Sequence, residues 1–199
     1  MVKNKILMGG YGTLLLEESL NHSVNRISSA KERKIVEYFP VIVKGYQRLF
    51  NLHATHYHSS DAISNDNIEV AAANIRPSPQ HDFNCLCFYI NESELESIDK
   101  RERYYERVEV EFLAFDNQTS IGVGYVYMVN PETSRLLFND NEKILPRWTD
   151  LTFTRTGAYR ISTEFGEYYD KTTYMADGEV LVVDFYRQHN IAKEDILLK

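Results

Sequence analysis

Lys5-Ile6-Leu7-Met8-Gly9-Gly10-Tyr11-Gly12-Thr13-Leu14 is an apolar run that stops in three glycines within four positions. Ile6, Leu7 and Met8 predict a core strand. Gly9, Gly10 and Gly12 predict a tight turn with backbone geometries that other residues avoid. Successive amide N–H groups in such a turn can converge on one concavity, a nest for an anion such as a carboxylate. The Gly-Lys-Ser/Thr ending of a phosphate loop is missing, and so is the Gly-x-Gly-x-x-Gly that opens a dinucleotide-binding helix. Without any chemistry, the same segment reads as a tight turn after a core strand.

A second segment, Ile98-Asp99-Lys100-Arg101-Glu102, closes a helix. Asn91 is a good N-cap with Glu94 as its capping-box partner, so a short helix is expected from Glu92 to about Ile98. From Arg107 the sequence alternates. Val108, Val110 and Phe112 share one face, and Arg107, Glu109 and Glu111 the other, as in a half-buried antiparallel strand. Glu102 therefore falls at a helix-to-strand junction, flanked by Arg101, Arg103, Tyr104 and Tyr105. A carboxylate there can point into a cleft, whose apolar walls favour the protonated form that a proton shuttle needs. Its plainer reading is a solvated Glu in a charged turn.

The remaining chain supplies more strands, then helices. Glu17 to Ser29 carries Leu20, Val24 and Ile27 at helical spacing. Pro40 to Phe50 reads as a strand broken at Gly45, and residues 59–67 as a loop. Ile68 to Ile75 and Asn84 to Ile90 read as strands, with Pro77 to Asp82 turning the chain between them. Asp116-Asn117 is a turn. Ile121 to Val129 is the return strand, where Gly122 and Gly124 allow a bulge or sharp bend. Leu145 to Tyr159 and Thr163 to Met175 look helical, and Val180 to Tyr186 fits strand or helix equally. There is no repeat and no linker, so residues 1–199 are expected to form one domain. The expected class is α+β: a small closed or nearly closed mixed β-barrel, with helices concentrated in the C-terminal third.

Composition narrows the function. The 199 residues are 43% hydrophobic and 26% charged, in the range of ordinary globular proteins, and the 14 Tyr and 10 Phe lean toward strands. A net charge of −7, mixed along the chain, opposes nucleic acid or an anionic membrane as partner. Cys85 and Cys87 share one strand face, a poor spacing for a disulfide, and read as reduced thiols in the cytoplasm. An inert strand thiol and the missing Gly-x-Ser-x-Gly argue against a Cys or Ser nucleophile. The glycines and Glu17-Glu18 interrupt any signal-peptide reading of the N-terminal run, and no stretch is long enough to span a membrane. The three Asn-x-Ser/Thr sequons, at Asn21, Asn91 and Asn117, then carry no meaning. His53, His56 and His58 lack an acidic or Cys cluster beside them, so no metal is expected.

Taken together, Tyr11-Gly12-Thr13-Leu14 after the first strand and Asp99-Lys100-Arg101-Glu102 ahead of an alternating strand resemble the gamma-glutamylcyclotransferase-like family. The likeness is strongest to its Tyr-Gly-Thr-Leu branch, the gamma-glutamylamine cyclotransferases and their avirulence-induced plant relatives. Gly45-Tyr46-Gln47-Arg48 is similar to the family's Gly-Tyr-x-Arg strand, and Gly157-Ala158 to a recurring Gly-Ala. The resemblance spans roughly residues 5 to 165. It implies a barrel-like α+β fold and release of 5-oxoproline without cofactor. It also implies glutamyl binding by the backbone of Tyr11, Gly12, Thr13 and Leu14, with Glu102 as general acid/base. Departures lie at Asn84-Cys85-Leu86-Cys87, where the family often has Gly, at Arg103 after the Glu, and near Asp150, where one branch has a substrate-binding Tyr. Trp148 and Asp150 are left out of the site. The expected partner is a small gamma-glutamyl substrate. Its leaving group is open among lysine isodipeptides, gamma-glutamyl amino acids, glutathione and gamma-glutamylated metabolites. Patterning sets no oligomeric state. An alternative is a non-catalytic module on the same fold, either binding a small molecule or docking a partner through the aromatic residues Phe165, Tyr168, Tyr169, Tyr174, Phe185 and Tyr186.

Overall fold

Strand β1 (Lys5–Gly10) runs between β3 (Val70–Asn91) and β5 (Ser120–Val129), antiparallel to β3 and parallel to β5. This computed structural model describes residues 5–27, 36–53, 70–102, 105–129 and 144–189. The hairpin partner of β5 is β4 (Tyr105–Ala114), which also pairs with β2 (Tyr38–His53). β2 then pairs back onto β3, closing a ring of five strands. Two short strands extend the sheet in parallel: β6 (Leu145–Pro146) on β3 and β7 (Thr173–Tyr174) on β2. Among the described residues five helices complete a mixed α+β fold: α1 (Glu17–Ile27), α2 (Leu95–Arg101), α3 (Trp148–Ile161), α4 (Thr163–Lys171) and α5 (Val182–Gln188). No helix among the described residues is long and apolar enough to cross a membrane.

Ring and helices explain why the β1 run is continuously apolar. Leu7 joins a buried cluster with Val41, Phe83, Cys85, Phe112 and Val126. Its neighbour Met8 points the other way, into a second cluster with Leu15, Ile98, Ala158 and Phe165 from the helical layer. A strand buried on both faces needs apolar residues at every position rather than at alternate ones. On β4 the expected alternation holds: Val110 and Phe112 are buried, while Arg107, Glu109 and Glu111 face outward.

Pro77 to Asp82 does not reverse the chain. The stretch stays within β3, and the ladder to β2 jumps from Lys44 opposite Asp82 to Tyr46 opposite Pro77. The extra residues form a bulge, absorbed on β2 by Gly45 at φ +85. A second bulge interrupts the β4–β5 ladder beside Gly122, at φ +146, where the bend was expected. The helix expected from Leu145 begins at Trp148, because Leu145 and Pro146 pair with Val70 and Ala71. The one expected to Met175 stops at Lys171, because Thr173 and Tyr174 pair with Arg48 and Leu49. Val182 to Gln188 is helical, and its buried residues Val182 and Tyr186 lie one turn apart. The capping box forms at Asn91 and Glu94, but its first turn is 3-10, over Glu92–Glu94, before α2. The loop expected over residues 59–67 lies outside the described residues.

Two buried arginines hold the helical layer, Arg48 to the sheet and Arg155 within itself. Arg48, fully buried on β2, donates through Nε to Thr173 Oγ1 at 2.9 Å and through its terminal nitrogens to Asn84 O and Oδ1 at 2.7 and 2.9 Å. Its guanidinium stacks over the Tyr169 ring at 4.1 Å. Burial pushes its pKa down to about 10, so it remains charged at neutral pH. Asn84 Nδ2 in turn donates to Phe165 O at 2.8 Å, holding α4 on β3. Arg155 of α3 makes a bidentate pair with Asp170 of α4, at 2.8 and 2.9 Å.

Candidate active site

The end of β1 delivers Tyr11 and Gly12 into a 3-10 turn, Thr13–Leu15. Gly12 O accepts from Leu15 N at 2.9 Å, and Thr13 O from Leu16 N at 3.1 Å. Among the described residues no acceptor faces the amides of Gly12, Thr13 and Leu14. The first amides of any helical turn are orphaned in this way and are available to an anion.

None of the three glycines of this segment has a positive φ. Gly9 and Gly10 act through space instead. A Cβ on Gly9 would stand 2.8 Å from Phe112 and Val126 carbons, and one on Gly10 would stand 2.6 Å from Leu14 Cβ. Gly157 of α3 plays the same part from below: its Cβ would lie 2.4 Å from the Leu15 carbonyl oxygen, so the turn rests directly on the helix backbone. Gly12 differs. A Cβ there would meet nothing within 4 Å, so its α-carbon borders open space.

Tyr11 turns its side chain into the ring. It packs edge-on against Phe83 at 5.7 Å, and its hydroxyl donates to the Tyr127 carbonyl at 2.7 Å. Burial holds its phenol pKa well above the usual value, and the charges of Tyr105 and Glu102 push it the same way. Glu102 therefore stands within electrostatic reach of Tyr11, although 91 positions separate them in sequence.

Glu102 is the C-cap of α2, half-buried, with φ −87 and ψ 38. Its N–H donates to Ile98 O at 2.9 Å, and its carbonyl accepts from Tyr105 N at 2.8 Å. The helix end and the start of β4 are thus joined through one residue. Ile98, buried beside Met8 and Leu15, presses this turn of α2 onto the layer that carries the 3-10 turn. The neighbouring Arg103 and Tyr104 lie outside the described residues.

Three residues around Glu102 were not singled out by sequence reasoning. Asp99 Oδ1 accepts from Tyr127 Oη at 2.7 Å and from Arg107 Nε at 2.9 Å. Arg107 also lies over the Tyr125 ring, at 5.3 Å. Burial, the hydrogen bond to Asp99, and the charges of Asp99 and Glu102 all raise the Tyr127 phenol, which stays protonated as a donor. The only sequence signal was Asp99 three positions before Glu102. Arg107 read as part of a solvent face.

Neither cysteine offers a nucleophile. Cys85 and Cys87 are free and buried, and burial pushes Cys87 up to about 12 and Cys85 well up as well. Among the described residues no group of three His, Cys, Asp or Glu could hold a metal ion. His53 ends β2, and His56 and His58 lie outside the described residues.

No family model matches the chain, and no curated protein does. Solved structures do. One named gamma-glutamyl cyclotransferase aligns at TM-score 0.57 with 14% identity, covering 93% of this chain and 99% of that one. The fold is gamma-glutamylcyclotransferase-like. An uncharacterised human protein, loc79017, aligns at TM-score 0.55 with 17% identity over 82% of this chain and 85% of its own. YkqA from Bacillus subtilis aligns at 0.53 with 17% identity over 83% of this chain and 52% of its own. At these identities the likeness establishes the gamma-glutamylcyclotransferase-like fold and nothing about chemistry.

Proposed function

We propose that this protein is a gamma-glutamylcyclotransferase of the Tyr-Gly-Thr-Leu branch. It would cleave gamma-glutamyl amines or amides by ring closure and release 5-oxoproline. What supports the reading most is the packing of Ile98, one helical turn before Glu102, with Met8 and Leu15 on either side of the Tyr11–Leu14 turn, with the Glu102 charge acting on Tyr11. The open space at Gly12 and the available amides of Gly12, Thr13 and Leu14 support a glutamyl site there.

The chemistry needs few parts. Amides of the turn hold the substrate's α-carboxylate. Glu102 takes a proton from the α-ammonium, and the freed amine attacks the gamma-carbonyl of the same molecule. Its nitrogen–carbon bond forms as the carbonyl becomes a tetrahedral oxyanion. The bond to the departing amine then breaks. Of the three ammonium protons, one stays on the lactam nitrogen, and Glu102 relays the other two to the leaving amine. Because the nucleophile is tethered to its target, the protein mainly selects one rotamer and moves protons.

A panel of gamma-glutamyl compounds with 5-oxoproline as readout tests this reading. It should include lysine isodipeptides, simple amino acids and glutathione as donors. Release from at least one of them is expected; none from any would end the proposal. Gly12→Ala adds a local test. Its methyl enters open space, so unfolding free energy should change by no more than about 1 kcal/mol. The same methyl would crowd a bound glutamyl group, and a misplacement of that size costs about 10²-fold in kcat/KM. A fully active Gly12→Ala enzyme would place the substrate elsewhere.

A further inference from the structure

We propose that Asp99 is a positioning residue for Glu102: it clamps the last turn of α2 to β4 through Arg107 and to β5 through Tyr127, and so fixes where the Glu102 carboxylate stands. The inference rests on the cyclotransferase reading for its kinetic consequence, but its geometry stands apart from it. One oxygen, Asp99 Oδ1, takes both bonds, at 2.7 Å from Tyr127 Oη and 2.9 Å from Arg107 Nε. Asp99 and Glu102 are three residues apart at a helix end, the spacing that puts side chains on neighbouring positions of one face.

Tyr127 makes the connection complete. Its hydroxyl bonds Asp99, and its backbone carbonyl accepts from the Tyr11 hydroxyl. One residue of β5 therefore holds both halves of the candidate site, the helix end with Glu102 and the turn that follows β1. A charge pair at the surface is worth little by itself, and Arg107 and Asp99 are 31% and 38% exposed. The value of this pair lies in orientation: it fixes the turn of α2 that carries Glu102 against β4 and β5.

The electrostatics give the test its sign. The Glu102 charge acts on Tyr11 after β1 and on Tyr127 of β5; Asp99 of α2 and Arg107 of β4 act on the same Tyr127 phenol, and Tyr105 of β4 on Tyr11, while Lys100 is paired outward with Glu96. A like charge disfavours ionisation of a carboxylate and a cation favours it. Asp99→Asn removes the like charge and releases Arg107, so the titration of Glu102 should move to lower pH. Arg107→Gln removes the cation, so it should move to higher pH. Tyr127→Phe keeps both charges and removes only a bond.

The experiment measures kcat and KM against pH for the three variants. It also follows the Glu102 carboxyl carbon by 13C NMR, a readout independent of turnover. Expected are a kcat loss of about 10²-fold in Asp99→Asn and Tyr127→Phe, KM nearly unchanged, and opposite displacements of the Glu102 titration in Asp99→Asn and Arg107→Gln. Displacements of the same sign, or none, would put Asp99 and Arg107 out of reach of Glu102 and overturn the proposal, and so would a Tyr127→Phe enzyme with the wild-type kcat, since that variant keeps both charges and removes only the bond. A wild type that releases no 5-oxoproline sinks the cyclotransferase reading, and the NMR titration then decides this one alone.

Discussion

Glu102→Gln is expected to fold as the wild type does and to lose 5-oxoproline release by about 10²–10⁴-fold, the scale of a single general acid/base. The substitution keeps the shape of the side chain and leaves its backbone bonds to Ile98 and Tyr105 in place. What it removes is the ability to take a proton and give it back. Ring closure needs both steps, because the α-ammonium has no lone pair until it is deprotonated and the departing amide nitrogen is a poor leaving group until it is protonated. KM should change little, since in the proposed mechanism the turn amides bind the opposite side of the substrate. Circular dichroism and urea midpoints matching the wild type would establish that only chemistry was lost.

The same variant carries a check that does not depend on turnover. The Glu102 charge raises the phenols of Tyr11 and Tyr127. Removing it should change the surroundings of both rings, so the Tyr11 and Tyr127 ring resonances should shift by NMR at neutral pH while those of distant tyrosines stay in place. Unchanged Tyr11 and Tyr127 resonances would mean that Glu102 faces away from Tyr11, and the site would fall with it. An unchanged rate of cyclisation would end the acid/base role alone.

The elements that proved legible were those whose local and tertiary demands agree. Asn91 and Glu94 formed their capping box, and the alternation from Arg107 to Phe112 formed a strand with one wet face. Pro77 to Asp82 misled because local turn chemistry competed with a long partner. β2 lies alongside and keeps β3 extended, while Gly45 absorbs the mismatch. Thr173 and Tyr174 left a helical pattern for two pairings with β2, which no local periodicity reports.

The candidate site divides in the same way. Tyr11 to Leu14 and Glu102 stand out in the sequence because each ends an element, where backbone amides or a carboxylate can be presented to a ligand. Two of the glycines before that turn were misjudged: close approach to Phe112, Val126 and Leu14, not an unusual backbone, explains Gly9 and Gly10. Asp99, Arg107 and Tyr127 stayed hidden. Their association depends on how α2, β4 and β5 dock, and an Arg on an alternating strand looks the same whether it meets water or an aspartate. The six aromatics near the C-terminus were open between core and docking surface. Phe165, Tyr169 and Tyr186 are buried, and none of the six ranks among the exposed large hydrophobics.

Arg155→Met should destabilise the fold by about 3–5 kcal/mol, the cost of leaving one member of a buried ion pair without the other. Arg155 and Asp170 have side chains only 1% and 5% exposed. Tyr159 Oη also donates to Asp170 Oδ2, at 2.7 Å, and its ring lies 4.7 Å from the guanidinium. Burial alone would lower the Arg155 pKa, but the bonds and charge of Asp170 more than offset it and hold it raised. Without Arg155, the Asp170 carboxylate keeps the tyrosine bond and the charge of buried Arg48 but loses its bidentate partner in a site with little water. Adding Asp170→Leu to Arg155→Met should recover much of the loss, because two apolar side chains of similar volume have no charge to desolvate. Urea denaturation of the wild type, both single variants and the double variant measures this as a coupling between the two positions. Strictly additive losses would show that the pair stabilises through packing and not through charge. The outcome also bears on the site: Arg155 lies two residues before Gly157, on the helix that seats the 3-10 turn. A variant that stays folded at low temperature while α3 loosens against α4 should lose kcat/KM before it loses secondary structure, and the double variant should regain both together.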